Sequence, residues 1–454
     1  MRPALPQPTS WRIRTISALN ARGFRLLYLL DAVTVYLTLW LITLALIVVR
    51  TGFDAASYRE RYAWTYLVIV GVHLAVFYFG GLYDRQRRLG ARPTTARLVG
   101  SVWLASLLVG LISLLLGEFL VPRSVLLTYG LVGPLGLAAN RWCARLLRLR
   151  SVGPARVLLV GDAETIQLAE DHLAQAGRHI EVAGHSAGVD GIEQKAATMR
   201  ATDVVLLDST SLDALYNVSL ANLERAGVAT LQIVRPRDSL LGLSNVGEIG
   251  GMPFVLLSTH ALTPSQARLK RWMDLTVLLI TAPVTVPLIG FTAAYVAVRA
   301  GRPLLFVQDR VGYDGVSFRM LKFRTMGRDA EAGSGPVQAA VDDPRVVTGM
   351  GWLRSTRLDE LPQLVNVLRG DMTIVGPRPV RPEEMADYER RFPGYRRRHQ
   401  SPPGITGLAQ VYGRYHTHIE YKLGHDLHYL ANWSPIIDVQ IMVRTAWVII
   451  TRRL

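Results

Sequence analysis

The sequence predicts a membrane protein in three parts: an α-helical N-terminal bundle of four spans, an α/β Rossmann-like cytoplasmic domain, and a re-entrant helix leading into a small α+β domain. Three observations predict it. Apolar runs of membrane length crowd residues 26–150, short β-branched runs alternate with helical segments over 154–262, and a fifth apolar run at 263–300 carries two prolines between basic flanks. The composition agrees: of 454 residues 50% are hydrophobic and the mean hydropathy is +0.23, too long for one domain and too apolar to be wholly soluble.

The first element is a basic N-terminal segment, 1–25, which carries Arg12, Arg14, Arg22 and Arg25. No small-residue cleavage site closes the apolar run behind it, so we read an anchor and not a removable signal. The spans are Leu26 to Val49, Ala63 to Leu82, Leu98 to Leu120 and, shorter and broken by glycines and Pro134, Val125 to about Leu137. A helix rises about 1.5 Å per residue, so ~20 apolar residues cross the hydrocarbon. Arginines gather before the first run, between the second and third (Arg85, Arg87, Arg88, Arg92, Arg97) and after the fourth (Arg141, Arg145, Arg148, Arg150). The positive-inside rule makes those three places cytoplasmic.

From Pro154 to Leu262, strands are expected at Val157–Val160, Ile180–Ala183, Val204–Leu207 and Leu231–Val234, separated by helical segments, the pattern of a parallel α/β domain. The first strand runs into Gly161-Asp162-Ala163-Glu164-Thr165-Ile166, which has one glycine where a dinucleotide fingerprint has three. A pyrophosphate needs that bare backbone to approach, so no NAD is expected here.

The fifth apolar run, Leu275 to Val298, contains Pro283 and Pro287 and lies between Arg268, Lys270 and Arg271 on one side and Arg299 and Arg302 on the other. Each proline removes a backbone donor, so a sharp break is expected. Crossing would put one basic cluster outside; a helix that breaks and returns to the same face satisfies both flanks. Residues 301–454 are polar, rich in Arg, Gly and Pro, and end in an amphipathic stretch, Ile436 to Ile450, capped by Arg452 and Arg453. Such a stretch suits a helix in the head-group region or one packed on its own domain.

Lys+Arg 51 against Asp+Glu 35 gives a net charge of +16, suited to anionic lipid, nucleic acid or phosphate-bearing substrates. The single cysteine, Cys143, excludes an intramolecular disulfide and a Cys-cluster metal site, compatible with a reducing cytoplasm.

The most informative run is Arg354 to Leu368. Leu358, Leu361, Leu364, Val365 and Leu368 fall at helical spacing, Asp359 and Glu360 project off that face, and Thr356 with Asp359 has the form of a capping box. That places the acid pair in a first helical turn, where the dipole favours a carboxylate and an incoming phosphate. Downstream, Gly376-Pro377-Arg378-Pro379 holds one arginine between prolines, and Pro403 to Arg414 is a second glycine-rich turn ending in arginine. Upstream, Lys322-Phe323-Arg324-Thr325-Met326 adds two cations. The cluster Arg390, Arg391, Arg396, Arg397 and Arg398, interleaved with Phe392 and Tyr395, we read as a lipid or lipid-phosphate contact in preference to nucleic acid or a solvated face.

Taken in order from Lys270 to the C terminus, these motifs closely resemble the bacterial sugar transferase family, the polyprenyl-phosphate phosphoglycosyl transferases with a monotopic catalytic core. The four spans and the degenerate nucleotide-binding-like domain look like its long-chain branch, which primes exopolysaccharide, capsule or O-antigen synthesis. The resemblance implies transfer of a sugar-1-phosphate from a UDP-sugar, glucose or galactose, to undecaprenyl phosphate with release of UMP. It implies Asp359 as nucleophile and Mg²⁺ ligand, Glu360 as its helper, Arg354 and Arg378 as phosphate or nucleotide contacts, and Arg414, Lys322 and Arg324 as further contacts. By the same analogy the protein is a homodimer of the bacterial inner membrane, its catalytic domain on the cytoplasmic face among membrane lipids. One departure is plain: relatives break the re-entrant helix at Ser-Pro, and this chain has Ala282-Pro283.

Two other functions compete. An NAD-dependent nucleotide-sugar dehydratase wants the glycine fingerprint and a Tyr-x-x-x-Lys pair, and no tyrosine here is followed four residues later by lysine. A non-catalytic scaffold of a polysaccharide assembly complex has no use for an acid pair set among arginines.

Overall fold

The computed structural model describes residues 26–48, 55–84, 89, 95–152, 154–175, 180–208, 215, 219–236, 238, 246–257, 262–327, 343–392, 394–412 and 418–451. The basic segment 1–25, Arg85, Arg87, Arg88, Arg92, Arg414, Arg452 and Arg453 lie outside the described residues. The chain divides into two compact units, Met1–Thr259 and His260–Leu454.

The first unit opens with four helices: α1 (Leu26–Thr43), running into a π-helical turn at Leu44–Val48, α2 (Ala55–Phe79), α3 (Thr95–Leu116) and α4 (Arg123–Val152). Val35, Leu39, Ile69, Phe77, Val102 and Leu137 form their shared core. Within it Asp31, fully buried, accepts hydrogen bonds from Tyr83 (2.8 Å) and Asn140 (3.0 Å) and pairs with Arg141. A buried carboxylate is tolerated only with such company. Leu27–Leu46, Tyr62–Phe79 and Thr95–Leu116 are long and apolar enough to cross a membrane, but α4 is not. Its apolar part, Val125 to Leu137, is only ~20 Å long, and Arg141, Arg145 and Arg148 occupy the rest.

The same unit holds a mixed sheet of order β2-β1-β3-β4-β6-β5, built from β1 (Ala155–Val160), β2 (Ile180–Ser186), β3 (Asp203–Leu206), β4 (Ala229–Ile233), β5 (Val246–Ile249) and β6 (Met252–Leu257). The first four are parallel, as their continuous apolar runs predict. The β5–β6 hairpin was not expected; its signal is Gly250-Gly251, both at positive φ (60° and 79°), in a two-residue turn. After β1, Asp162 caps α5 (Ala163–Gln175) by accepting from the Thr165 amide at 2.8 Å and its hydroxyl at 2.7 Å. A carboxylate thus stands where a pyrophosphate would meet a helix start.

The second unit begins with α8 (Pro264–Ala300); the short helices α6 (Ile192–Thr198) and α7 (Ser219–Arg225) precede it in the first unit. It is one unbroken helix of 37 residues, so Pro283 and Pro287 do not interrupt it as the sequence led us to expect. Near the prolines two hydroxyls bond back within the helix, Thr281 donating to the Val277 carbonyl at 2.8 Å and Thr285 to that of Thr281 at 3.1 Å.

Both ends of α8 pack on the same small domain. Near its start Leu278 meets Met320, Val367 and Met372; near its end Val296 meets Phe323, Met350 and Leu353. Between them Leu279, Ile280, Val284 and Val286 are 64–75% exposed, an uncovered apolar face. The domain consists of the antiparallel hairpin β7 (Leu305–Val311) and β8 (Ser317–Phe323), the parallel pair β9 (Thr373–Val375) and β10 (Gly404–Thr406), and short helices between them. These are α9 (Gly351–Ser355), α10 (Gln363–Arg369), α11 (Pro382–Arg391), α12 (Leu408–Tyr412), α13 (Ile419–Ala431) and α14 (Pro435–Thr451). On α14, Ile441 is buried, whereas Ile436, Val443 and Trp447 are more than 60% exposed, so one face packs on the domain and the other remains apolar and open.

A buried polar network roots α8. Lys270 donates to Asp438 at 2.6 Å, Tyr429 and Trp433 lie on the same carboxylate, and Asp274 accepts from Thr373 (2.6 Å) and the Ile374 amide (3.1 Å) on β9. Removing one partner of such a pair leaves an uncompensated buried charge, at a cost of about 3–5 kcal/mol. Lys270→Ala should therefore lower the thermal midpoint of the detergent-solubilised protein by on the order of 10 °C, while Arg390→Ala, at a side chain 79% exposed, should leave it unchanged; equal shifts would show that the network does not root the helix.

Candidate active site

The run from Arg354 to Leu368 is not the single helix its periodicity suggests. Helix α9 ends at Ser355, the Thr356 hydroxyl bonds back to the Trp352 carbonyl at 2.7 Å instead of capping Asp359, and Arg357 turns to positive φ (60°). Leu358–Glu360 then forms one 3₁₀ turn before α10 starts after Pro362. The reversal at Arg357 points the acid pair inward: Asp359 and Glu360 are each 8% exposed, against the expectation that they project off a buried face.

The two carboxylates differ sharply. Glu360 Oε1 collects Lys322 at 2.8 Å, Arg378 at 3.4 Å and Arg357 at 3.5 Å. Burial pushes its carboxyl up, but those three cations overcome it and hold Glu360 well below the usual range. Asp359 is pushed up to about 6 by burial and by its charged neighbour Glu360, with Lys322, Arg354 and Arg357 opposing. Its Oδ1 is buried and has no hydrogen-bond partner among the described residues. Lys322, largely desolvated, has its ammonium pulled down by burial and sustained by Glu360.

Both open into a cleft of about 2800 Å³. Lys322, Arg354, Arg357 and Arg378 line it, and so do Val443 and Trp447 of α14, so charged and apolar walls share one space. Arg354 reaches the Thr325 hydroxyl at 3.4 Å. Arg324 also borders the cleft, but its guanidinium caps α8, donating to the carbonyls of Ala300, Gly301 and Pro303, so it is a structural cation more than a substrate contact. Arg398 is likewise no lipid contact, being 5% exposed and paired with Asp426 at 2.6 Å. Arg357 was missed as a site residue; its position beside the acid pair was the available signal.

The loop after β9 presents Arg378, and glycine makes its seat. A Cβ on Gly404 would collide with the Gly376 backbone, so the two strands meet at a distance only glycine permits. Four successive carbonyls of this loop are held: Pro377 by the Gly404 amide (2.9 Å), Arg378 by Arg398 (2.9 Å), Pro379 by Arg310 (3.3 Å) and Val380 by the Val311 amide (2.9 Å).

The pattern that describes the bacterial sugar transferase family matches residues 265–452. Over 179 residues the chain is 39% identical to the sugar transferase EpsL of Bacillus subtilis, covering 85% of that protein and 39% of this one. The chain belongs to the bacterial sugar transferase family. It is also 38% identical over 193 residues to a UDP-N-acetylgalactosamine-undecaprenyl-phosphate N-acetylgalactosaminephosphotransferase of Aeromonas hydrophila, which covers 42% of this chain. To the UDP-glucose:undecaprenyl-phosphate glucose-1-phosphate transferase of Escherichia coli K12 it is 36% identical over 209 residues, 45% of this chain. The match spans 45% of the length of each of these two relatives.

Among the described residues no group of three or more His, Cys, Asp or Glu side chains could hold a metal. Mg²⁺ asks less, commonly one or two carboxylates with substrate phosphates and water completing the shell, and Asp359, whose Oδ1 lacks a hydrogen-bond partner among the described residues, would supply one such carboxylate.

A carboxyl raised on folding favours the folded state at low pH, fully so below its unfolded value near ~3.9, and that contribution disappears as pH rises through about 6. In EDTA, Asp359→Asn should therefore be more stable than the parent above pH 7, by up to about 3 kcal/mol, and indistinguishable near pH 4. Melting curves across that range check it; a variant less stable at pH 8 would show that Asp359 is not strained by its surroundings.

Proposed function

We propose that the chain transfers a sugar-1-phosphate from a UDP-sugar to undecaprenyl phosphate at the cytoplasmic face of the bacterial inner membrane, releasing UMP, as the first step of surface polysaccharide synthesis. The observation that carries this reading is the division of labour in the acid pair: Glu360 neutralised by three cations, Asp359 buried with one oxygen free. Glucose or galactose is the sugar we favour; the names of the two relatives above carry glucose and N-acetylgalactosamine.

In this mechanism an Asp359 oxygen attacks the sugar-bearing phosphorus, the bond from that phosphorus to the bridging oxygen breaks, and UMP leaves with the electron pair. The resulting aspartyl-phosphosugar is then attacked by a phosphate oxygen of undecaprenyl phosphate, and the Asp359 carboxylate is regenerated. An anion attacking an anion needs positive charge placed in advance; Arg354, Arg357 and Arg378 border the cleft for that purpose. Asp359 would hold Mg²⁺, which would supply further charge neutralisation. Glu360 acts by holding Lys322, Arg357 and Arg378 around the reacting group.

The membrane arrangement supports the same reading. Basic residues flank α8 at both ends, both ends dock on one domain, and its uncovered apolar middle suits a lipid environment. We therefore favour a re-entrant α8, bent at Pro283 and Pro287 without losing its helix, which keeps Asp359 on the cytoplasmic side. The α/β domain of the first unit we read as Rossmann-like and without a dinucleotide, since Asp162 occupies the helix start.

Purified membranes offered a panel of UDP-sugars with undecaprenyl phosphate should release UMP from one or two donors; release of UDP from every donor would overturn phosphosugar transfer. Asp359→Asn should abolish release, and Arg378→Ala should lower kcat about 10²-fold, the loss typical of one transition-state donor. The acid limb of kcat/KM should show a single proton with a midpoint near about 6. Unchanged product formation by Asp359→Asn would favour the scaffold.

A further inference from the structure

We propose that Arg398 and Asp426, which lie outside the motifs that form the acid site, act as a positioning pair that fixes the reach of Arg378. The proposal rests on the transferase reading above, because Arg378 is taken to meet the reacting phosphates. Arg398 sits in the 3₁₀ segment Tyr395–Gln400 and Asp426 on α13. Both are buried, at 5% and 3% exposure. The Arg398 guanidinium uses all its faces: Nε and Nη2 to Asp426 Oδ2 at 2.9 and 2.6 Å, Nη1 to the Tyr395 hydroxyl at 2.8 Å, and Nη2 to the Arg378 carbonyl at 2.9 Å.

The carbonyls of Pro377 and Val380 are held by backbone amides, and those of Arg378 and Pro379 by charged side chains; the closer arginine, Arg398 at 2.9 Å against Arg310 at 3.3 Å, holds Arg378, and its charge is balanced by Asp426 on a third segment. Arg378 itself has little to constrain its long side chain: it is 47% exposed and reaches Glu360 at 3.4 Å. With the carbonyl clamped and a proline on each side, the backbone of Arg378 is fixed and only side-chain rotation remains. A lysine at 398 could satisfy Asp426 or the carbonyl, but not both in one plane.

The test is a double-mutant cycle read by UMP release, with melting recorded for each variant. Arg398→Lys should lower kcat about tenfold, in keeping with the steep cost of small misplacements, while leaving KM for the UDP-sugar within about threefold and the thermal midpoint within a few degrees. In an Arg378→Lys background the same change should cost less than about twofold, because the group it positions is already altered. An equal loss in both backgrounds would mean that Arg398 acts elsewhere and overturns the proposal. Should Arg398→Lys fail to melt cooperatively, Asp426→Asn carries the same cycle, keeping an acceptor for Arg398 without its charge. A wild-type protein that releases no UMP from any donor would instead refute the transferase reading. In that event hydrogen exchange decides the positioning: Arg398→Lys should speed exchange over residues 376–381 while leaving that of β7 and β8 unchanged, and unaltered exchange at 376–381 overturns it.

Discussion

Two adjacent carboxylates, each less than a tenth exposed, repel each other inside the C-terminal unit, and much of its architecture answers that repulsion. Lys322 comes from β8, Arg357 from the reversal before the 3₁₀ turn, and Arg378 from the loop after β9; all three converge on the Glu360 carboxylate. Glu360 is thereby kept ionised as a structural anion. Asp359 receives the field of Lys322, Arg354 and Arg357, and its Oδ1 has no hydrogen-bond partner among the described residues.

Bringing three chain segments to one carboxylate requires that each be held from behind. Asn366, fully buried on α10, bonds both ways to β8, accepting from the Leu321 amide at 3.0 Å and donating to the Arg319 carbonyl at 2.8 Å. It fixes the strand that carries Lys322 to the helix that follows the acid pair. Gly376 and Gly404 let β9 and β10 approach closely enough for the Arg378 loop to be clamped carbonyl by carbonyl. Asp274 of α8 takes two hydrogen bonds from β9, so the apolar helix and the strand leading to the site are one construction.

The apolar surfaces follow the same economy. The middle of α8 and the outer face of α14 remain uncovered, while the inner face of α14 carries the Asp438 carboxylate that holds Lys270. Charged and apolar walls therefore border one cleft, an arrangement suited to a substrate whose reactive end is a phosphate and whose remainder is hydrocarbon.

By itself the sequence determined what depends on local pattern. Apolar runs of membrane length marked α1, α2, α3 and α8, β-branched runs marked β1 to β4, and the acid pair, Lys322 and Arg378 stood out as candidates because each sits in a short, unusual run. Local pattern also misled where tertiary forces prevailed. Leucine spacing promised one helix through Asp359, but a left-handed Arg357 broke it and turned both acids inward. Two prolines promised a break in α8, but the helix runs unbroken through both, its two ends docked on one domain. The roles of the arginines were decided only by the fold, since Arg324 capping α8, Arg398 clamping a carbonyl and Arg378 facing a carboxylate are alike in sequence. Arginine carries one charge and five donors wherever it stands; which partner it meets depends on segments tens of residues away, and only the packed chain brings those together.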